Sequence, residues 1–376
     1  MNYPNKKLVF LVTELGYFCS HRLNLALAAK QAGFDVSVVT NCDQRPHLFR
    51  YEAQLQEFDI HHLAFHRSRL NPYSELKTVL QIWKIYRQIR PDIVHQVALK
   101  PVIYGTICGH FTRIPRIVNA LGGMGYLFTH RGLKSFFIRP LLAFSFWILL
   151  NNSRCALILQ NPDDVELMTS FVDYDKVHLI RGAGVDLELF YPTQEPPSPP
   201  LKAVMVSRLL WSKGIGELVE AARVLKVQGV PLQIQVAGDI DPQNPASVPY
   251  AVLAGWKEEK VITWLGAIED IPALYATSHI AILPSYREGL PKSLLEAAAC
   301  GKPIVTTDVP GCREVVIQHE NGFLVPAKNA AALAESLRVL VESPELRAKM
   351  GLSSRQKAEQ EFDEKKIIAE TLATYH

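Results

Sequence analysis

Two doubly wound α/β domains joined by a proline-rich linker are predicted by three observations. Short β-branched runs alternate with longer helical patterns along both halves of the chain, the signature of βαβ units around parallel sheets covered on both faces. With 376 residues, 48% of them hydrophobic and 20% charged, the chain is too long for one ordinary core and too apolar for disorder. Near the middle, the segment from Pro192 to Pro200 holds five prolines in nine residues, which cannot join a sheet and favour an extended conformation. The expected division is a first domain at 1–191, a linker at 192–200 and a second domain at 201–376 that includes a C-terminal helix.

In the first half, strands are expected near Leu8–Val12, Val36–Val39, Ile93–Val97, Ile117–Asn119 and Ala156–Leu159. The first run follows Lys6 and Lys7 but ends after five residues at Glu14, so it reads as a buried strand and not as a signal peptide. A helix over His21–Ala32 stops at Gly33. The apolar run Phe136–Leu150 is interrupted by Arg139 and Pro140, and the remaining Leu141–Leu150 is well short of the roughly 20 residues that span a bilayer. Leu141–Leu150 therefore reads as a buried helix. The cations His130, Arg131, Lys134 and Arg139 border Phe and Trp, a mixture suited to an anionic membrane interface, so the segment near Arg131–Arg139 is expected at a membrane surface.

In the second half, strands are expected near Ala203–Val206, Gln233–Ala237, Val261–Leu265, Ile280–Leu283 and Pro303–Thr306, with helix from Pro344 to the end. The 40 Lys and Arg against 37 Asp and Glu leave a net charge of +3, too weak a field for sequence-independent nucleic-acid binding. Six scattered cysteines without a C-x-x-C pair argue against a disulfide framework or zinc knuckle and fit a reducing cytoplasm. Ligands of open α/β sheets bind at the carboxyl ends of the strands, so the active site is expected between the two domains.

The most informative stretch runs from Ser285 to Gly301, directly after the strand Ile280–Leu283. Pro291 suits the first turn of a helix, so peptide N–H groups around Gly289, Leu290 and Lys292 are expected to point outward and form an anion and hydroxyl site. Glu288 precedes that helix and Glu296 lies about one and a half turns inside it, so the two acids can meet opposite ends of one ligand. An isolated pair at this spacing would as readily be a cap and a solvated helix residue. The preceding strand and the small residues Ala297, Ala298, Ala299 and Gly301 favour the ligand reading. A second cluster, Arg208 and Lys213, lies in the loop after Ala203–Val206, where two cations and helix N–H groups can neutralise a diphosphate.

With Thr13–Gly16, Gly184-Val-Asp186, the R-x-x-x-x-K pair, Gly238-Asp239 and the E-x7-E from Glu288 to Glu296, nearly the whole chain resembles a retaining GT-B glycosyltransferase of family 4. The resemblance implies two Rossmann-like domains facing across a cleft and a nucleotide-sugar donor. It implies that Arg208 and Lys213 hold the donor diphosphate, and that Glu288 with the Gly289-Leu290-Pro291 backbone contacts phosphate or sugar hydroxyls. Glu296 would bind the ribose, Gly16 would admit the pyrophosphate beside the first loop, Gly238 belongs to a Gly-Asp turn, and Leu265 with Gly266 would lie near the base. Arg208, Lys213 and Glu288 are thus the expected catalytic residues, with no metal and no further cofactor. D-x-D occurs at Asp173/Asp175 and at Asp239/Asp241, and neither is expected to serve a metal.

The sequence departs from the family in one place. Many members carry a His on the loop after the strand like Ile117–Asn119, whereas this chain has the glycine-rich Asn119–Tyr126. That loop and Ser68–Pro72 are similar to the subgroup that extends polyprenyl-diphosphate-linked saccharides. Acceptor-side candidates are His95, Asn119, Gly122 and Gly123, although a lone His after Ile93-Val94 is more often a satisfied core residue. The expected partners are a UDP-sugar, with GalNAc or GlcNAc as the sugar, a polyprenyl-diphosphate-linked saccharide and the cytoplasmic face of a membrane. A nucleotide-sugar 2-epimerase of the same fold and a non-catalytic nucleotide-sugar-binding subunit are the alternatives.

Overall fold

The computed structural model describes residues 5–43, 48–65, 71–123, 133–241 and 244–376, without the side chains of residues 49 and 133–138. The chain forms two compact units, Met1–Ala183 with Ile367–His376, and Gly184–Lys366. The boundary therefore precedes the predicted linker, and the last ten residues return to the first unit. The Pro-rich segment is held on the second unit by side chains. Glu195 accepts two hydrogen bonds from the buried Arg347, at 2.9 and 2.6 Å, and the Pro196 carbonyl lies 3.1 Å from His279 Nε2. Proline keeps that segment out of the sheet, but the need to pair Arg347 keeps it on the surface beside it.

The strands of unit 1 are β1 (Lys7–Glu14), β2 (Asp35–Asn41), β3 (Asp59–His62), β4 (Ile93–Val97), β5 (Arg116–Leu121), β6 (Cys155–Leu159) and β7 (Val177–Leu179). They form a parallel sheet in the order β3-β2-β1-β4-β5-β6-β7, with Leu8 in register with Val36 on one side and Ile93 on the other. Leu8 to Val12 are fully buried because β1 is central and both its faces are covered. The helices are α1 (Leu15–His21), α2 (Leu23–Gln31), α3 (Glu52–Leu55), α4 (Pro72–Ile89), α5 (Leu99–Phe111), α6 (Leu133–Leu150) and α7 (Pro162–Thr169).

The predicted helix over His21–Ala32 is α2, and an unpredicted helix, α1, precedes it; the two part at Arg22 (φ −132°), where the Ser20 hydroxyl turns back to the Gly16 and Tyr17 carbonyls and competes with the helical ladder. Helix α4 starts with Asn71 accepting from the Tyr73 N–H at 3.1 Å and Pro72 in its first turn, and it buries Thr78, Ile82 and Tyr86 at a spacing of four. Helices α1 and α2 and the C-terminal residues Ile367 and Tyr375 cover one face of the sheet. Helices α4, α5 and α6 cover the other.

Unit 2 has strands β8 (Leu201–Val206), β9 (Leu232–Ala237), β10 (Thr263–Gly266), β11 (Ile280–Leu283), β12 (Ile304–Thr307) and β13 (Gly322–Val325), all parallel, in the order β10-β9-β8-β11-β12-β13. Its helices are α8 (Ile215–Val227), α9 (Tyr250–Glu258), α10 (Ile271–Ala276), α11 (Lys292–Ala299), α12 (Cys312–Val315), α13 (Ala330–Glu342), α14 (Pro344–Glu361) and α15 (Glu364–Ala373), the last running on into unit 1. In each sheet the strand order reverses beside the first strand, between β1 and β4 and between β8 and β11. A crevice opens at the carboxyl ends of strands at such a reversal.

Candidate functional site in the second unit

The loops after β8, β9, β10, β11 and β12 meet at the carboxyl ends of the unit 2 strands through a chain of short contacts. The Gly238 N–H donates to the Gly266 carbonyl at 2.7 Å, the Leu209 N–H to the Asp239 carbonyl at 3.0 Å, and the Tyr286 N–H to the Ser212 carbonyl at 2.9 Å. Two glycines make this approach possible. At Gly214 (φ 74°) a Cβ would overlap the Pro284 carbonyl oxygen, and at Gly238 (φ 140°) it would overlap that of Ser207. Ser285 adds a hydroxyl between the Ser212 and Arg287 carbonyls, and Thr307 donates to the Ser285 carbonyl.

Lys213 closes a short 3-10 turn after β8, and Glu288 lies in the loop after β11. Their side chains meet across the reversal of strand order, Nζ to Oε1, at 2.5 Å, with only 21% and 11% of the side chains exposed. Most of that pair is shielded from solvent, so its attraction is screened less than that of a surface pair. Glu288 also lies close enough to Cys312 that its charge, second to burial, helps push the thiol up to about 12. Arg208 extends further out, 55% exposed, and holds Asp241 at 3.1 Å. Each cation of the R-x-x-x-x-K pair thus rests on an acid from a neighbouring loop, an arrangement able to exchange its carboxylates for the oxygens of a diphosphate.

Pro291 is the residue before α11 and not in its first turn; it takes extended ψ (112°), and the helix begins at Lys292. Gly289 and Pro291 are buried and Leu290 is half-buried. A Cβ on Gly311 (φ 80°) would overlap the Gly289 carbonyl oxygen, so the loop after β12 braces this turn. Glu296 is half-buried inside α11, where its charge, after burial, raises Tyr275, whose hydroxyl donates to the Ser293 carbonyl at 2.7 Å. Leu265 and Gly266 end β10 beside Gly238.

The sequence reading missed Tyr286 and Glu217. The Tyr286 hydroxyl donates to the Glu217 carboxylate, 2.7 and 2.6 Å from its two oxygens, and Lys328 stands 5.0 Å over the ring. Burial, then Glu217, pushes that phenol up. The two residues are 69 apart, and no local spacing announces the pair.

In unit 1 three expectations change. Gly16 lies inside α1, because β1 runs straight into the helix without a loop, and a Cβ there would meet only a Leu48 methyl at 4.0 Å. His95 is 1% exposed on β4, stacked on Phe10 and 2.8 Å from the Tyr375 hydroxyl. Asn119 is fully buried on β5 with its side-chain oxygen 3.0 Å from the Thr106 hydroxyl. Both are core residues because alternate side chains of a strand covered on both faces point into one core or the other.

Gly122 and Gly123 are exposed after β5, and a Cβ on Gly122 would stand 3.6 Å from the Gln160 amide and 3.8 Å from the Tyr17 hydroxyl. Tyr17 and Gln160 thus flank Gly122, again without a sequence signal. Residues 124–126 of the glycine-rich loop, residues 68–70 and Arg131 lie outside the described residues. Of the two D-x-D pairs, Asp175 is paired with Lys176 and Asp241 with Arg208, and among the described residues no group of three His, Cys, Asp or Glu is placed to hold a metal.

Burial, then the charge of Arg22, holds His95 well below 6.5. The native state therefore binds fewer protons there than the unfolded chain, and unit 1 should lose stability as pH falls below about 6.5, by up to about 1.4 kcal/mol per pH unit until the native imidazole itself protonates. His95→Phe should flatten the slope of stability against pH between 6.5 and 5 in urea unfolding. An unchanged slope would show that His95 does not set it.

The family model described as "Glycosyl transferases group 1" matches residues 191–357, and one described as "Glycosyl transferase 4-like" matches residues 7–157. An N,N'-diacetylbacillosaminyl-diphospho-undecaprenol alpha-1,3-N-acetylgalactosaminyltransferase of Campylobacter jejuni is 28% identical over 370 residues, 94% of each chain. A UDP-Gal:alpha-D-GlcNAc-diphosphoundecaprenol alpha-1,3-galactosyltransferase of Escherichia coli is 25% identical over 70% of each. In fold, the sucrose-phosphate synthase of Thermosynechococcus elongatus superposes with a TM-score of 0.78 over 98% of both chains at 20% identity.

Proposed function

As a member of the glycosyl transferases group 1 family the chain is a glycosyltransferase, and we propose that it moves an N-acetylhexosamine from a UDP-sugar to a polyprenyl-diphosphate-linked saccharide with retention of configuration. The observation that carries this reading is the shielded Lys213–Glu288 pair at the reversal of strand order, with Arg208 and Asp241 beside it. As the bond to the anomeric carbon breaks, negative charge grows on the leaving diphosphate, and preplaced cations stabilise it without reorganising. Lys213 and Arg208 take that role, Glu288 positions the ammonium and meets the sugar, and the positive end of the α11 dipole adds to the field. Glu296 takes the ribose, while Gly238 and Leu265 border the nucleotide. The departing phosphate oxygen accepts the acceptor's proton, which dispenses with a separate base after His95 is lost to the core. Two cations in place of a divalent ion make the reaction metal-independent.

The name of the Campylobacter relative supports GalNAc over GlcNAc, and a lipid diphosphate acceptor. That of the Escherichia relative supports a UDP carrier. Unit 1 then carries the acceptor around Gly122 and Gly123. Six cysteines that form no disulfide support a reducing compartment and hence the cytoplasmic face of the membrane.

The test incubates the purified chain with UDP-, GDP- and ADP-sugars, with and without polyprenyl-diphosphate-linked saccharides, in the presence and absence of EDTA. UDP should appear only when a UDP-N-acetylhexosamine and an acceptor are both present, at a rate indifferent to EDTA, with an α-linked product by NMR. Release of UDP without acceptor and without a new glycosidic bond would overturn transfer in favour of epimerase-like chemistry.

A further inference from the structure

The net charge of +3 hides a strong asymmetry. Between Asp59 and Asp163 the chain has thirteen Lys and Arg against two acids, Glu75 and Asp92, and from Ile93 to Pro162 it has no acid at all. Neither acid offsets the surface. The Glu75 carboxylate is 17% exposed and is taken by Lys100 Nζ and the Tyr104 hydroxyl, both at 2.7 Å, and Asp92 accepts from the Lys7 N–H at 2.8 Å. The fold turns this stretch into the helical layer α4, α5 and α6, packed side by side on one face of the unit 1 sheet.

Outward, that layer is apolar where a soluble surface is normally polar. On α4, Tyr73, Leu76 and Leu80 are exposed beside Lys77, Lys84 and Arg87. On α6, Phe146 and Leu150 enter the core, but Leu141, Phe144, Trp147 and Ile148 are each more than half exposed, with Phe144 and Trp147 stacked at 6.0 Å. Leu141–Leu150 is therefore not the buried helix its sequence suggests. Both helices repeat the same spacing of apolar residues (73, 76, 80 and 141, 144, 148), which makes a stripe on each. Among the described residues no helix is long and apolar enough to cross a membrane.

We infer that the outward faces of α4 and α6 form a docking surface for an anionic phospholipid bilayer, the Lys and Arg of α4 on the headgroups and the Leu, Phe, Trp and Ile of α6 in the acyl boundary. Cations without competing acids give charge complementarity to anionic lipid, and Trp and Phe favour the interface. The purpose of the surface rests on the reading of a lipid-linked acceptor; its chemistry does not.

The test is co-sedimentation of the full chain with phosphatidylcholine vesicles, with and without a one-third share of phosphatidylglycerol, together with quenching of Trp147 by brominated lipid. Wild type should bind the anionic vesicles preferentially. Lys77→Ala/Lys84→Ala/Arg87→Ala should bind them about 10²-fold more weakly, from about fivefold per cation, and Phe144→Ser/Trp147→Ser at least about tenfold more weakly. All these positions are exposed, so turnover with a short-chain, water-soluble acceptor should persist. If either combination abolishes it, the single changes Lys84→Ala and Trp147→Ser replace the combinations.

Equal binding to both vesicle types, or variants that bind like wild type, would overturn the surface. So would a wild-type dimer without vesicle affinity that Phe144→Ser/Trp147→Ser dissociates, since the face would then belong to a second copy. Vesicle binding with no transfer to any polyprenyl acceptor would leave the surface standing and sink the acceptor reading instead.

Discussion

Lys213→Ala is expected to lower kcat by about 10²- to 10³-fold. Removing one preorganised donor of charge stabilisation costs about 2.7–4 kcal/mol in the transition state, the range that gives this factor. The loss has a second source in this protein. Glu288, 11% exposed and 2.5 Å from the ammonium, would be left without its cation, and its carboxylate would repel the diphosphate that Lys213 had drawn in. Lys213→Arg should recover only part of the rate, because a planar fork does not occupy the place of a compact ammonium.

The pair should also be non-additive. Lys213→Ala/Glu288→Ala should lose less than the two single changes would give if multiplied, since each single change already breaks the shared contact. Steady-state kinetics with saturating donor decide it, and a Lys213→Ala enzyme within about threefold of wild-type kcat would remove the diphosphate assignment.

Gly238→Ala should produce the largest loss of stability, about 3 kcal/mol or more, and with it the loss of donor binding. The backbone there has φ 140°, a region that L residues rarely adopt, and the added methyl would overlap the Ser207 carbonyl oxygen and stand 2.8 Å from its carbon. Relief requires the turn to move, which breaks the 2.7 Å bond from the Gly238 N–H to the Gly266 carbonyl and the 2.9 Å bond from Trp264 Nε1 to the Gly238 carbonyl. Three strand ends are joined through this one residue, so the change reaches Arg208 in the loop after β8 and Leu265 on β10 together. Gly255→Ala is the control. Gly255 lies in α9 with nothing within 4 Å of a new Cβ, and the change should stabilise the helix by about 0.5–1 kcal/mol. Chemical denaturation followed by tryptophan emission separates the two, and equal midpoints would contradict the steric argument.

The central strands were legible because strands buried on both faces read as continuous apolar runs, and β1, β4, β8 and β11 stand where those runs fall. Of the edge strands, β10 was legible and β3, β7 and β13 were not. Strand β3 is Asp59-Ile-His-His62 and β7 is Val177-His-Leu179, short and carrying polar residues because one side has no neighbour to bury them. The loop residues Arg208, Lys213 and Glu288 could be named because the element boundaries on either side were plain. What could not be read was their pairing, which depends on strand order: Lys213 and Glu288 are 75 positions apart and meet because β11 lies beside β8. The same ignorance of order and of facing misjudged His95 and Asn119, which alternation sends to opposite faces of one sheet and into its two cores.

The return of Ile367–His376 to unit 1 carries a consequence for any attempt to divide the molecule. Tyr375 seals Phe34 and His95, and the Thr374 carbonyl accepts from Arg116 Nε at 2.8 Å, so the final turns act as a lid on a core whose strands were laid down hundreds of residues earlier. Severing the chain once, at its prolines, would yield an amino-terminal piece with an open seam and a carboxyl-terminal piece with an orphaned tail. An autonomous first half has to be built as a graft, its own 183 residues followed by those last ten.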